Sequence, residues 1–354
     1  MKIVVENHIP YIQGYLEQFA DVVYLSADAI TREAVADADV LLTRTRTRCD
    51  ASLLEGSQCR FIGTATIGTD HIDLDYCHSH GITVVNAPGC NAPSVAQYVH
   101  STIAHWLSDN ELTAADCSNL TLGIVGVGHV GSIVERWARR LGYNVLLCDP
   151  PRASREGDGI FVDIDTIAHE ADIITFHTPF TKSGNDATYH LCDDNFINSL
   201  SHCRLLINSA RGAIADNSAL LRALTEGKIA DAAIDCWENE PRINLDLLKA
   251  AYIATPHIAG YSAEGKLRAT SMLLEALSSH FGWKIEAPQP TTPLLGAANV
   301  TMRSIADSYN PRLDTAALKA LINSPENFAQ GFESLRNHYN LRAEVTDSTG
   351  CASE

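Results

Sequence analysis

Leu120-Thr-Leu-Gly-Ile-Val-Gly126-Val-Gly128-His129-Val130-Gly131 decides how this chain is read. An apolar run from Leu122 to Val125 leads directly into G-x-G-x-x-G, and an amphipathic stretch from Val130 to Leu141 follows. Alone, the glycine pattern is weak. Bracketed by a strand pattern and a helix pattern, it describes a tight strand-to-helix turn. Gly126 would allow the turn, Gly128 would let a pyrophosphate approach the backbone, and Gly131 would let helix and strand pack closely. The helix start, with the N–H groups of His129 and Val130, offers partial positive charge to phosphates. A second apolar run, Val145 to Cys148, ends at Asp149, 18 residues after Gly131. A carboxylate there would grip an adenosine ribose 2′-OH and repel a 2′-phosphate, so NAD rather than NADP is the expected cofactor. Arg152, close by, weakens that contrast. The alternative is a glycine-rich turn in an ordinary α/β protein.

Outward from this motif, short apolar runs alternate with helical patterns. Before it, Lys2–Val5, Val22–Leu25, Val40–Leu42, Phe61–Ile62 and Ile82–Val85 read as strands. Ile12–Phe19, Arg32–Ala36, Ala51–Leu54 and Leu74–His80 read as the helices between them. After it, Ile173–Phe176, Leu205–Ile207, Ala232–Ile234 and Tyr252–Ala254 continue the series. Such repetition predicts two doubly wound parallel sheets, each covered by helices on both faces. The turn cluster Ala87–Pro93 stops the first series, and Ser94-x-x-Gln97 reads as a capping box opening a long helix through Trp106. A further long helix is expected from Ala263 to about Phe281, a linker from Ile285 to Asn299, helices at Arg312–Ile322 and Pro325–Tyr339, and a loose final ten residues.

Composition narrows the class. The net charge of −17 argues against nucleic acid or an anionic membrane surface as partner. It also requires a local cationic pocket for any anionic substrate. There is no 18-residue apolar run and no signal-peptide pattern. The ten cysteines are scattered without metal spacing, which reads as reduced thiols in a cytoplasmic protein and no metal.

Three residues follow predicted strands, where open α/β sheets bind their ligands. Arg211 follows Leu205–Asn208, Glu240 follows Ala232–Ile234, and His257 follows Tyr252–Thr255. Together they suit hydride transfer at a hydroxyl-bearing carbon. A histidine of ordinary pKa ~6.5 exchanges the hydroxyl proton near neutrality. A carboxylate beside it fixes its tautomer, and a guanidinium holds a substrate carboxylate. Singly, each is as readily a surface or loop residue, and His177, Glu238 and His71 are the nearest decoys. Thr178, after strand Ile173–Phe176, is placed to meet the cofactor or simply to end a strand. Arg44-Thr45-Arg46-Thr47-Arg48, if extended, would aim alternate side chains one way as an anion pocket; the other reading is a solvated edge. The hydroxyl-rich stretch from Gly63 to His71 is a second anion-binding candidate.

With Gly126-x-Gly128-x-x-Gly131, Asp149, Asn208-x-x-Arg211-Gly212, Asp235-x-x-x-x-Glu240-Pro241 and Pro256-His257 in this order, the chain resembles the D-isomer-specific 2-hydroxyacid dehydrogenases. The resemblance implies a homodimer whose NAD-binding Rossmann domain, residues 98–269, is inserted into the chain of a substrate domain. That domain would be residues 1–97, completed by a returning helix near 270–285, with a C-terminal dimerisation module within 286–354. It also implies that Arg211 orients substrate, Glu240 supports the histidine and His257 is the acid/base. NAD contacts would come from Asp149, Thr178, Ser209, Ala210, Arg211, Asp235 and Gly260. Arg44, Thr45, Thr66 and Tyr261 would touch a small anionic phosphorylated hydroxyacid. Of the three arginines at 44–48, only Arg44 fits the family. Two other readings stay open here: a dehydrogenase for a different D-2-hydroxyacid such as 3-phosphoglycerate, and a non-catalytic NAD-sensing protein.

Overall fold

The computed structural model describes residues 1–157, 159–290 and 299–345. The chain divides into two compact units, one of residues 1–91 and 262–291, the other of residues 92–261 and 292–354.

In the first, β1 (Lys2–Glu6), β2 (Asp21–Leu25), α1 (Arg32–Val35), β3 (Val40–Thr43), α2 (Ala51–Leu54), β4 (Phe61–Thr64), α3 (Leu74–Ser79) and β5 (Thr83–Val85) follow in turn. The five strands form a parallel sheet of order β2-β1-β3-β4-β5. The stretch expected as a helix at Ile12–Phe19 is a series of turns. Gly14, at φ +90°, reverses the chain inside it, while Ile12 and Leu16 still bury in the core beneath. Their spacing satisfied a helical period without any helix.

The second unit opens with α4 (Ala92–Asp109) and continues through β6 (Thr121–Val125), α5 (His129–Leu141), β7 (Asn144–Cys148), α6 (Pro150–Glu156), α7 (Ile164–Glu170), β8 (Ile173–Phe176), α8 (Asp194–Ser199), β9 (Leu205–Asn208), α9 (Asn217–Thr225), β10 (Asp231–Ile234), α10 (Leu245–Ala250) and β11 (Ile253–Ala254). Its six strands are all parallel, in the order β11-β10-β9-β8-β6-β7. Helix α4 begins before Ser94, so the expected capping box is absent. Both polar side chains lie inside the helix, Ser94 donating to the Ala259 carbonyl at 3.0 Å and Gln97 to that of Ala343 at 3.1 Å.

Helix α11 (Ala263–Phe281) belongs wholly to the first unit, where Leu273, Leu274 and Leu277 pack on Ile3, Val5, Val40, Leu42 and Phe61. A side chain at Gly63 would press on Leu42 and Leu273, so this glycine lets helix and sheet meet. The unit boundaries therefore fall at 91/92 and 261/262, leaving α4 and α11 intact, and not at residues 97 and 269. Residues 285–290 are neither helix nor strand, and the rest of the expected linker lies mostly outside the described residues, as does the tail after Val345.

Three more helices, α12 (Met302–Ser308), α13 (Pro311–Ala320) and α14 (Phe328–Asn337), pack on the second unit. Ile305 and Tyr309 join the core that contains α4 and α5, whereas Leu318, Phe328 and Phe332 join the core on the other face with Ile214, Trp237 and Leu247. The C-terminal segment is thus built into the second unit of its own chain.

Candidate active site

Val125 ends β6, and Gly126, at φ +88°, turns the chain toward α5. A side chain at Gly126 would press on the His177–Thr178 backbone at 2.8 Å, and one at Gly131 would collide with the Gly126 carbonyl. A side chain at Gly128, by contrast, would meet nothing within 4 Å. Two glycines are therefore required by packing, and the middle one leaves room for a group to approach. Gly128 caps α5 without a side-chain bond, so the helix presents its first-turn N–H groups. Asp149 follows β7 and caps α6. Its carboxylate accepts from the Val127 N–H at 2.8 Å and the Arg152 N–H at 3.0 Å, tying the acid to the glycine turn. Arg152 turns away to Glu156 and the Val127 carbonyl.

Thr178 Oγ1 and Ser209 Oγ are buried without a hydrogen-bond partner. Native interiors rarely leave such hydroxyls unpaired, and a polar ligand bound beside the glycine turn would pair both. They follow the neighbouring strands β8 and β9. Together with the glycine turn, these atoms fit a dinucleotide. The decoy His177 is half-buried near His100, and loss of solvation pushes its pKa down to about 3, too low for proton exchange.

Strands β9, β10 and β11 are adjacent, with Asn208 level with Ile234 and Ile234 level with Ala254. The loops leaving them carry Arg211, Glu240 and His257 from one end of the sheet. The Arg211 and Glu240 loops interlock at Gly212, where any side chain would overlap the Trp237 carbonyl. Arg211 is half-buried and donates to the Ala210 carbonyl at 2.8 Å. Glu240 Oε1 accepts from the Trp237 N–H at 2.8 Å, and His257 Nδ1 lies 2.9 and 3.1 Å from the two carboxylate oxygens. This fixes the ring with Nε2 as its other reactive nitrogen. The His257 side chain stays 33% exposed, whereas that of Glu240 is 17% exposed.

The histidine sits in the left-handed region, φ 58°, which a non-glycine residue adopts only when its surroundings impose it. Asp235 imposes it here. Its buried carboxylate accepts from Thr255 Oγ1 at 2.6 Å and from the N–H groups of Ile258 and Ala259 at 2.8 and 3.0 Å. Asp235, expected at NAD, thus spends its oxygens on the loop that carries His257.

Burial opposes charge on His257, but Cys236 and Glu240 outweigh it and push the imidazole well above its ordinary range. Burial also raises the Cys236 thiol, which keeps it neutral, so the lasting charge beside the ring is the Glu240 carboxylate. Burial would likewise raise Glu240, yet His257 and Arg336 hold it below its ordinary value. The carboxylate favours the protonated ring over the neutral one, and the pair is built to exchange one proton.

Comparison with known proteins gives the family. Residues 91–259 match the D-isomer specific 2-hydroxyacid dehydrogenase NAD-binding domain. Proteins named erythronate-4-phosphate dehydrogenase are similar over nearly the whole chain. That of Bacteroides fragilis is 48% identical, with 97% of each chain covered. That of Porphyromonas gingivalis is 41% identical, covering 93% of this chain and 91% of its own. The chain belongs to the D-isomer-specific 2-hydroxyacid dehydrogenase family, in its erythronate-4-phosphate dehydrogenase branch. Membership makes it an NAD-dependent oxidoreductase. Among solved structures, a D-lactate dehydrogenase from Aquifex aeolicus, complexed with NAD and lactic acid, superposes with a TM-score of 0.66 at 25% identity, covering 80% of this chain and 96% of its own. This family's two parallel-sheet units are the ones described above.

In the first unit, residues 44–48 turn instead of running extended, so the three arginines do not form one row. Arg44 donates to the His8 carbonyl and Arg48 pairs with Asp50, while Thr45 is exposed. The turn is closed by buried Glu6, which accepts from the Arg44 N–H and from Thr43 and Thr47. Thr66 Oγ1 lies 2.7 Å from Thr64 Oγ1 and donates to the Gly68 carbonyl. The decoy His71 bonds to the same Thr64, and burial lowers its pKa to about 4. Glu238, the third decoy, holds His190 and the Asn217 N–H. Gly260 and Tyr261 follow His257, both half-buried. The described residues contain no group of three metal-ligating side chains, and their nine cysteines are free and buried.

Two participants escaped sequence reasoning. Arg336 approaches Glu240, and Arg342 bonds to the loop after His257. Neither carries a local signal.

Proposed function

We propose that this protein oxidises 4-phospho-D-erythronate at its 2-hydroxyl to 2-oxo-3-hydroxy-4-phosphobutanoate, with reduction of NAD, as a step in pyridoxal 5′-phosphate biosynthesis. The near full-length similarity to erythronate-4-phosphate dehydrogenases carries this reading, and the Glu240–His257 pair supports it. NAD, when bound, supplies the hydride acceptor. Gly126, Gly128, His129, Val130 and Gly131 receive its pyrophosphate, Asp149 its ribose, and Thr178, Ser209, Ala210, Arg211 and Gly260 line the remainder, while buried Asp235 acts indirectly by holding the His257 loop. Arg211 holds the substrate carboxylate and orients its C2 hydroxyl. His257 Nε2 takes the hydroxyl proton as the hydride leaves C2, and Glu240 stabilises the resulting imidazolium. Arg44, Thr45, Thr66 and Tyr261 contact substrate, with Arg44 countering its anionic charge against the acidic chain. The active species is a homodimer in the cytoplasm, with the C-terminal segment at the dimer contact. No helix among the described residues is long and apolar enough to cross a membrane.

The test is turnover of purified protein with NAD and 4-phospho-D-erythronate, beside 3-phosphoglycerate and unphosphorylated D-erythronate. NADH and the trapped 2-oxo acid are both followed, because retained NADH would hide product. Preference for 4-phosphoerythronate is expected. Preference for another acid overturns the substrate, and no product with any of the three overturns the enzyme reading.

A further inference from the structure

The C-terminal segment reaches the acid–base pair within its own chain. Helix α14 is fixed by Phe328 and Phe332, which bury in the core shared with Trp237 on the loop that carries Glu240. One turn beyond Phe332, Arg336 Nη1 lies 3.8 Å from Glu240 Oε2 and 3.6 Å from Glu333 Oε1. The Arg336 side chain is only 16% exposed, and a charge so enclosed is stable only among partners. Five residues past α14, Arg342 closes the loop after His257. Its guanidinium donates to the carbonyls of Ile258, Ala259 and Tyr261, to Ser94 and to Gln97, and it lies over the Tyr309 ring.

We infer that Arg336 is a positioning residue for the Glu240–His257 pair, so that the C-terminal segment sets proton transfer in cis. This rests on His257 being the acid/base. Glu240 has two oxygens and three partners: the Trp237 N–H, the His257 ring and the Arg336 cation. Arg336 favours the ionised carboxylate and also takes part of its field away from the imidazole. The charged and titratable groups near the pair are Arg336 and Glu333 from α14, Asp235 and Cys236 before the Glu240 loop, and Tyr261 after His257. Removing Arg336 leaves the full carboxylate to His257, so the ring should hold its proton to higher pH.

The experiment is the pH profile of kcat/KM for hydroxyacid oxidation in full-length Arg336→Gln, Arg336→Lys and Glu333→Gln, with NAD affinity measured in each. In Arg336→Gln, the acid limb should move upward by about half a pH unit or more, with NAD affinity unchanged. Lys should restore the wild-type limb. Glu333→Gln, which removes the anion competing for Arg336, should move the limb slightly downward and keeps the inference testable if the Gln variant does not fold. An unmoved limb in the folded Gln variant, or a limb that moves upward in Glu333→Gln, overturns the inference. Glu240→Gln separates the two levels. If its limb also stays fixed, the reading of His257 fails; if it moves while that of Arg336→Gln does not, only the role of Arg336 fails.

Discussion

At the end of β3 in the first unit, buried Glu6 satisfies Thr43, Thr47 and the Arg44 N–H, and at the end of β4 Thr64 bonds to both Thr66 and His71. At the equivalent ends of β8 and β9 in the second unit, Thr178 and Ser209 bury hydroxyls that bond to nothing. Both sheets are parallel and both place loops at their carboxyl ends, so topology does not distinguish them. The loops after β3 and β4 bond their polar groups internally, whereas those after β8 and β9 leave two hydroxyls unpaired; in the first unit Asn91 Oδ1, after β5, is unpaired as well. An unpaired buried hydroxyl costs about 1–3 kcal/mol, which a ligand's hydrogen bond offsets. The second unit also holds the Glu240–His257 pair, with His257 on a strained backbone, where the first holds His71, whose pKa burial lowers to about 4. The NAD-binding domain and the Glu240–His257 pair both fall in the second unit.

The sharpest way to break this comparison is His257→Ala. It should lower kcat by about 10²–10⁴-fold, the usual contribution of a general acid–base group, with NAD binding by fluorescence retained. Retained turnover would remove the chemistry from the second unit. Leu273→Ala acts on the first unit, stripping the α11 side chain that packs on Gly63 and the sheet. It should cost about 2–5 kcal/mol in denaturant unfolding, with NAD affinity unchanged; a parallel loss of NAD affinity would mean the two units do not divide the work. Smallest in effect is Asp149→Asn. Asparagine caps a helix as well as aspartate, so α6 should survive while the charge that repels a 2′-phosphate is lost. NAD preference over NADP should fall by about tenfold, the value of roughly 1.4 kcal/mol. Unchanged preference would assign ribose reading elsewhere.

The strand–glycine turn–helix and the strand ends that carry Arg211, Glu240 and His257 were legible in sequence because each signal is local: a required turn, a strand end, a fixed spacing. Three readings failed where two local signals coincide. Ile12 and Leu16 are spaced like a helix face, yet Gly14 makes that stretch a set of turns. Ser94 and Gln97 match a capping box but sit inside α4, bonding to distant carbonyls. Arg44 to Arg48 alternate like a strand, but Glu6 folds them into a turn. Arg336 and Arg342 were invisible for a different reason. Their partners lie far away in sequence, and only the burial of Phe328 and Phe332 brings them to the site.

The most direct measurement is the pH dependence of kcat/KM for 4-phospho-D-erythronate oxidation in wild type and Glu240→Gln. Oxidation needs the neutral ring, and Glu240 favours the charged one. The wild-type rate should therefore fall as pH drops through an apparent pKa above ~6.5, and removing the carboxylate should move that limb downward by about one unit. Superimposable limbs in the two proteins would contradict the assignment of His257 and Glu240 as the acid–base pair.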